Sequence, residues 1–187
     1  MPQITQVLDF WHQLGPKGWF DVNVQVDDEI RTRFGGLWGE VRDGGHTAWR
    51  DTPPGCLAYL IVADQFPRNM FRGDPRAFST DEVARAAARF AVLAGHDLLA
   101  DVALRSFFYL PFEHSESLGD QDWSVDLFEG RTTDSSHILH AHAHREVIRR
   151  YGRFPTRNAA LSRANTPAEE AFLAAGGYGA VVRALGG

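Results

Sequence analysis

Apolar positions recur at intervals of three and four along most of the chain, first as Ile4, Val7, Leu8 and Trp11, then as Ile30, Phe34, Leu37 and Val41. This is the period of a helix with one buried face, and no segment alternates as a half-buried strand would. The run from Cys56 to Gln65, "CLAYLIVADQ", is apolar almost throughout and follows "TPPG". It predicts a buried helix of about ten residues that starts at the prolines and ends where Pro67 forbids continuation. "STDEVARAAARFAVLAG" predicts an alanine-rich helix opened by a capping box of Ser79 with Glu82 and closed by Gly95. A helix through "LLADVALRSFFYL" should stop before Pro111, and the next starts near Asp120 and carries Trp123, Val125, Leu127 and Phe128. "SHILHAHAHREVIRRYG" predicts another, and Thr166 with Glu169 forms a second capping box with Pro167 at the first helical position. Eight or nine short helices follow, an all-α chain whose short connections favour antiparallel hairpins.

At 187 residues, with 44% hydrophobic, 12% aromatic and 23% charged positions, the chain should build one well-cored domain over 1–187. Trp11, Trp19, Phe20, Phe34, Trp38 and Trp49 belong in that core by their spacing. The net charge of −5 argues against a general nucleic-acid binder and requires any anion site to be local. A single cysteine, Cys56, excludes an internal disulfide framework and a thiolate zinc site. The longest apolar run is too short to span a bilayer, so a cytoplasmic protein with no membrane association is expected.

Two corners concentrate the chemistry. In "DQFPRNMFRG", Asp64 follows Leu57, Leu60 and Ile61 on one helical stripe, which places a carboxylate on an apolar face beside Arg68, Asn69 and Arg72. An ion pair of Asp64 with Arg68 would secure the helix end, and an anion site would use the same residues. In "YGRFPTRN", Arg153 and Arg157 bracket a second Phe-Pro turn, followed by Asn158. From Arg145 to Arg163 there are six arginines against one acid, Glu146, and such a group of planar forks suits carboxylate or phosphate. His114 and His144 are the candidate proton-transfer residues, with Glu113 or Glu116 to orient them. His140 and His144 have the spacing of two metal ligands, but no third ligand is spaced to complete a set, so no metal is expected and no cofactor is indicated.

"VLDFWHQLG", "TPPGCLAYLIVADQFPRNMFRGDPRAFSTD", "RSFFYLPFEHSESLGDQDWSV" and "HREVIRRYGRFPTRNAALSRANTPAEEAFL" together resemble the bacterial family called domain of unknown function 924, in order and over nearly the whole chain. The resemblance implies a tetratricopeptide-like, all-α array and supplies no activity. Thr156 stands where the family often has histidine, and "HAHAHRE" is richer in histidine than usual.

Two functions are compatible with these residues. One is a site for a small anion, phosphate or carboxylate, built from Asp64, Arg68, Asn69, Arg72, Glu116, Arg153, Arg157 and Asn158 with His114 and His144 as proton carriers, supporting hydrolysis or group transfer. It requires the two corners to meet. The other is an interaction module whose groove receives an acidic peptide or partner at the arginine-rich corner.

Overall fold

The computed structural model describes residues 2–186. Among them are nine α-helices and several 3-10 turns, with no strand. The chain divides into two compact units, Met1–Pro111 and Phe112–Gly187.

In the first unit, α1 (Pro2–Phe20) bends at Gly15, whose positive φ precedes Pro16, and α2 (Val24–Arg42) starts at Asn23, which accepts the amides of Gln25 and Val26. The third helix, α3, is the centre of the unit. It begins at Pro53–Leu60, widens into a π turn at Ile61–Gln65 and resumes as Phe66–Met70. Every residue from Gly55 to Pro67 is buried, as a helix apolar on all sides requires, and α1, α2 and α4 (Asp81–Leu93) pack around it. Cys56 lies inside this packing, where burial pushes its thiol up to about 12.

Pro67 does not end this helix. In a regular helix its ring would meet the carbonyl of Ala63 four residues earlier. The π turn shifts the register instead, with the Phe66 amide bonding back to Ile61, and the Ala63 carbonyl accepts the Thr80 hydroxyl at 2.5 Å. Thr80 is thereby spent on α3, although it stands at the start of α4. The expected Ser79–Glu82 capping box is not formed, because Ser79 closes the preceding 3-10 turn Pro75–Phe78 and its hydroxyl donates to the Arg76 carbonyl. The segment expected as a helix before Pro111 is a 3-10 turn, Val102–Phe108, and Pro111 lies within the next short helix rather than beyond it.

Aromatic rings fill the core of the first unit. Phe66 stacks on Phe34 at 4.8 Å, and Trp11 meets Phe66 and Phe107 edge-on at 5.7 and 5.4 Å. Phe20 departs from expectation: the last residue of α1, it is 51% exposed and lays one face on Phe107.

The short helix α5 (Leu110–Glu113) carries the chain into the second unit. There α6 (Leu118–Arg131) and α7 (Ser135–Tyr151) pack on each other across a three-residue connection. Gly152 ends α7 in the left-handed conformation. The Phe-Pro corner follows as a 3-10 turn, Pro155–Arg157, then α8 (Pro167–Ala174) with the expected Thr166–Glu169 capping box, and α9 (Gly177–Gly186). Ala143, Val147, Ile148, Phe154, Phe172 and Val181 form its core.

Candidate functional site

The first corner is closed by its own acids. Arg68 donates to the Asp64 carbonyl at 2.6 Å and lies 3.1 Å from the Asp64 carboxylate and 2.9 Å from that of Asp81. Gln65 donates to the other Asp64 oxygen at 2.6 Å. Arg72 grips Asp27 of α2 with both arms of its fork, at 2.6 and 2.9 Å, and Asn69 donates to the same carboxylate at 2.8 Å. Asp27 and Asp64 are both buried, so these contacts offset the desolvation of two carboxylates. The corner fastens α2 and α4 to the end of α3.

The arginine excess of the second corner is absorbed by acids too. Glu146 takes Arg149 and Arg150, and Arg145 lies 3.6 Å from Asp122. Arg153 forks onto Glu169 at 2.6 and 2.7 Å, and hydrogen bonds from Arg153 and Thr166 hold that carboxyl at about 2. Glu116 accepts Arg163 at 2.7 and 2.9 Å and the Phe154 amide at 2.8 Å. Burial alone would raise the Glu116 carboxyl; Arg163, the Phe154 amide and Arg157 together pull it below its ordinary value. Asn158 is buried, accepting from Arg163 and donating to Asn165.

A different group of residues surrounds a cavity of about 260 Å³ in this unit, lined by His144, Val147, Phe154, Thr156, Arg157, Phe172 and Tyr178. Behind His144 stands Glu113, 3% exposed, with its carboxylate 2.8 Å from Nδ1. The same nitrogen lies 2.9 Å from the His140 carbonyl and 3.0 Å from the Tyr178 hydroxyl, which is 2.6 Å from His140 Nδ1. A nitrogen facing a carboxylate and a carbonyl must carry hydrogen. His144 is therefore protonated on Nδ1 and the Tyr178 hydroxyl donates to His140, which leaves Nε2 as the His144 nitrogen that these groups do not engage.

The electrostatics agree with this chain. Burial would raise the Glu113 carboxyl, but the charge and hydrogen bond of His144, with the charges of His114 and His140, hold it below its ordinary value. Burial depresses His140. Burial, reinforced by Glu113, drives the Tyr178 phenol far above its ordinary range and keeps it protonated. Arg157 is fixed by a bond to the His114 carbonyl at 2.9 Å and by the face of Phe154, 4.4 Å from its guanidinium carbon.

Of the residues singled out in the sequence, His144 and Arg157 line the cavity, and Glu113 rather than Glu116 stands against His144. The His114 ring lies 6.3 Å from that of His144, while its carbonyl positions Arg157. Glu116, Arg153 and Asn158 make hydrogen bonds within the corner and are not among the cavity's lining residues, and Asp64, Arg68, Asn69 and Arg72 belong to the other unit. Sequence reasoning passed over Tyr178 and Phe172, and noted Thr156 only as a departure from the family pattern. Tyr178 carried no motif, and its partners His140 and His144 lie 38 and 34 residues away. Among the described residues, no group of three or more histidine, cysteine or acidic side chains could hold a metal ion, and no helix is long and apolar enough to cross a membrane.

The described residues form an all-helical architecture. Residues 7–177 match the model of a family described as bacterial protein of unknown function (DUF924), and the chain belongs to that family. It is also similar to the solved structure of a protein of unknown function from Agrobacterium tumefaciens, at 36% identity and a TM-score of 0.87, over 91% of this chain and 96% of that one. No curated protein matches it.

Proposed function

We propose that the cavity of the second unit binds a small anionic ligand, with Arg157 as its anchoring cation and His144 as the residue that moves a proton. The observation that carries this reading is a histidine held on Nδ1 by a buried carboxylate at the wall of a cavity whose rim bears an arginine. A buried carboxylate fixes the tautomer and stabilises the charge when Nε2 takes a proton, which is the logic of carboxylate–histidine pairs in acyl and phosphoryl chemistry. An anion paired to Arg157 would lie beside that nitrogen, the juxtaposition needed for hydrolysis or group transfer.

The alternative, an interaction module receiving an acidic segment, has less to support it, since Arg149, Arg150, Arg153 and Arg163 are spent on acids of the same unit. Isothermal titration of inorganic phosphate, nucleotides and small carboxylates tests the reading. Binding is expected in the wild type and lost in Arg157→Ala at unchanged fold. A wild type that binds none of them, or an Arg157→Ala variant that binds equally well, refutes it.

A further inference from the structure

Away from the cavity, the first unit carries an exposed apolar surface, and we infer that a second copy of this chain covers it. The helix α4 packs on α3 and buries Ala84, Ala87, Ala88, Ala91 and Val92. A second stripe runs along the same helix: Ala86, Phe90 and Leu93, spaced four and three apart, all face solvent. It continues past the helix end. The His96 ring meets Phe90 edge-on at 5.8 Å, and Leu98 and Leu99 in the 3-10 turn Asp97–Leu99, then Val102, are exposed as well. Phe20, Val22 and Val24 adjoin them, because Phe20 stacks at 6.1 Å on Phe107 of the turn that Val102 opens. Of the ten large apolar residues that are exposed among the described residues, eight lie in these two stretches. Single apolar residues on a surface are ordinary, whereas a concentration of this kind marks a contact.

Area, charge and shape select the occupant. Full burial of a Leu, Val or Phe side chain corresponds to about 60–120 Å² of apolar surface, so eight that are between 49% and 76% exposed offer roughly 300–600 Å². A stable interface takes about 800 Å² from each partner, somewhat over half of it apolar, and the patch matches that share. The exposed charges within it, Asp21, Asp101 and Arg89, give no basic excess of the kind an anionic membrane attracts. The stripe is also complementary to itself. A two-fold axis beside Phe90 lays two copies of α4 antiparallel and sets Leu93 over the partner's Ala86, a large residue on a small one, and the reverse by symmetry.

The test is sedimentation velocity of the full chain from about 1 to about 100 µM, over which the wild type should become dimeric. Leu93 is 76% exposed and Ala86 is exposed too, so Leu93→Glu and Ala86→Glu should leave the far-ultraviolet circular dichroism unchanged. Each should weaken the dimer at least about tenfold, since the pairing would carry carboxylates into an apolar contact. Leu185→Glu, at an exposed position of the second unit, should not weaken it. Slower amide exchange over residues 90–102 at the higher concentration is expected in the wild type and needs no variant. A wild type that stays monomeric overturns the inference, as does a dimer that both stripe variants leave intact or that Leu185→Glu dissolves. Flotation of a monomeric wild type with phosphatidylcholine–phosphatidylglycerol vesicles, lost in Leu93→Glu, would assign the surface to lipid and overturn it equally.

Discussion

Asp27 carries more of the first corner than its sequence position suggests. It lies on an ordinary-looking helix face, yet Asn69 and Arg72 both converge on it from 42 and 45 residues away. Asp27→Ala would leave an exposed arginine and a buried amide without their acceptor, at an expected cost of about 1–3 kcal/mol in urea unfolding. Thr80→Val removes the hydroxyl that satisfies the Ala63 carbonyl and should cost about 1–3 kcal/mol by the same measurement. In the second unit, Tyr178→Phe takes away the donor to His140 and the oxygen beside His144. The expected outcome in nitrogen-15 spectra is a change in the His140 ring signals, with His144 kept as the Nδ1–H form by Glu113. The Asp64–Arg68 pair was legible because four residues separate its members on one helix. Asp27 with Arg72 was not legible as a pair, and Glu113 stood in the sequence only as one of two acids able to orient His114 or His144, since nothing local distinguishes a carboxylate that will meet a distant partner from one that faces water.

Among the elements, α3 shows how tertiary demand overrides a local rule. Its composition called for a buried helix and it is one, but the stop at Pro67 was avoided by widening a single turn and donating a hydroxyl from α4 to the released carbonyl. Its start is just as constrained. A Cβ on Gly55 would stand 2.2 Å from the Trp49 carbonyl oxygen, so Gly55→Ala must displace backbone, and a loss of about 3 kcal/mol or more is expected in thermal or urea unfolding. The caps divide instructively. Thr166 and Glu169 formed their box because both groups lie within one turn, and the Glu169 carboxylate accepts the Thr166 amide together with Arg153. At α4 the preceding 3-10 turn claimed Ser79, and α3 claimed Thr80.

At the scale of the whole chain, acid should undermine the second unit in two stages. His140 is depressed by burial, so the unfolded chain takes up its proton first as pH falls below about 6.5, and stability declines from there. Glu113, Glu116, Glu146 and Glu169 are also depressed, the last two to about 2. Their contribution is complete above about pH 5 and is lost as pH falls towards those folded values. Amide hydrogen exchange at pH 7.5, 5.5 and 3.5 should therefore show protection in α7 and α8 falling at each step. Equal protection at 7.5 and 5.5 would remove the histidine stage.

What the sequence by itself determined is what neighbours within about four residues decide: the helical period, the all-α class, the Thr166 cap, the Gly152 stop and the burial of Asp64. Only the tertiary structure decided which acid meets which arginine, that Pro67 could be accommodated, and that His144, Arg157, Phe172 and Tyr178 enclose one cavity. The reason is physical. Periodicity and capping are set by the backbone geometry of a single helix, whereas ion pairs and cavities join groups from different helices, and their cost or gain exists only once packing has excluded water between them.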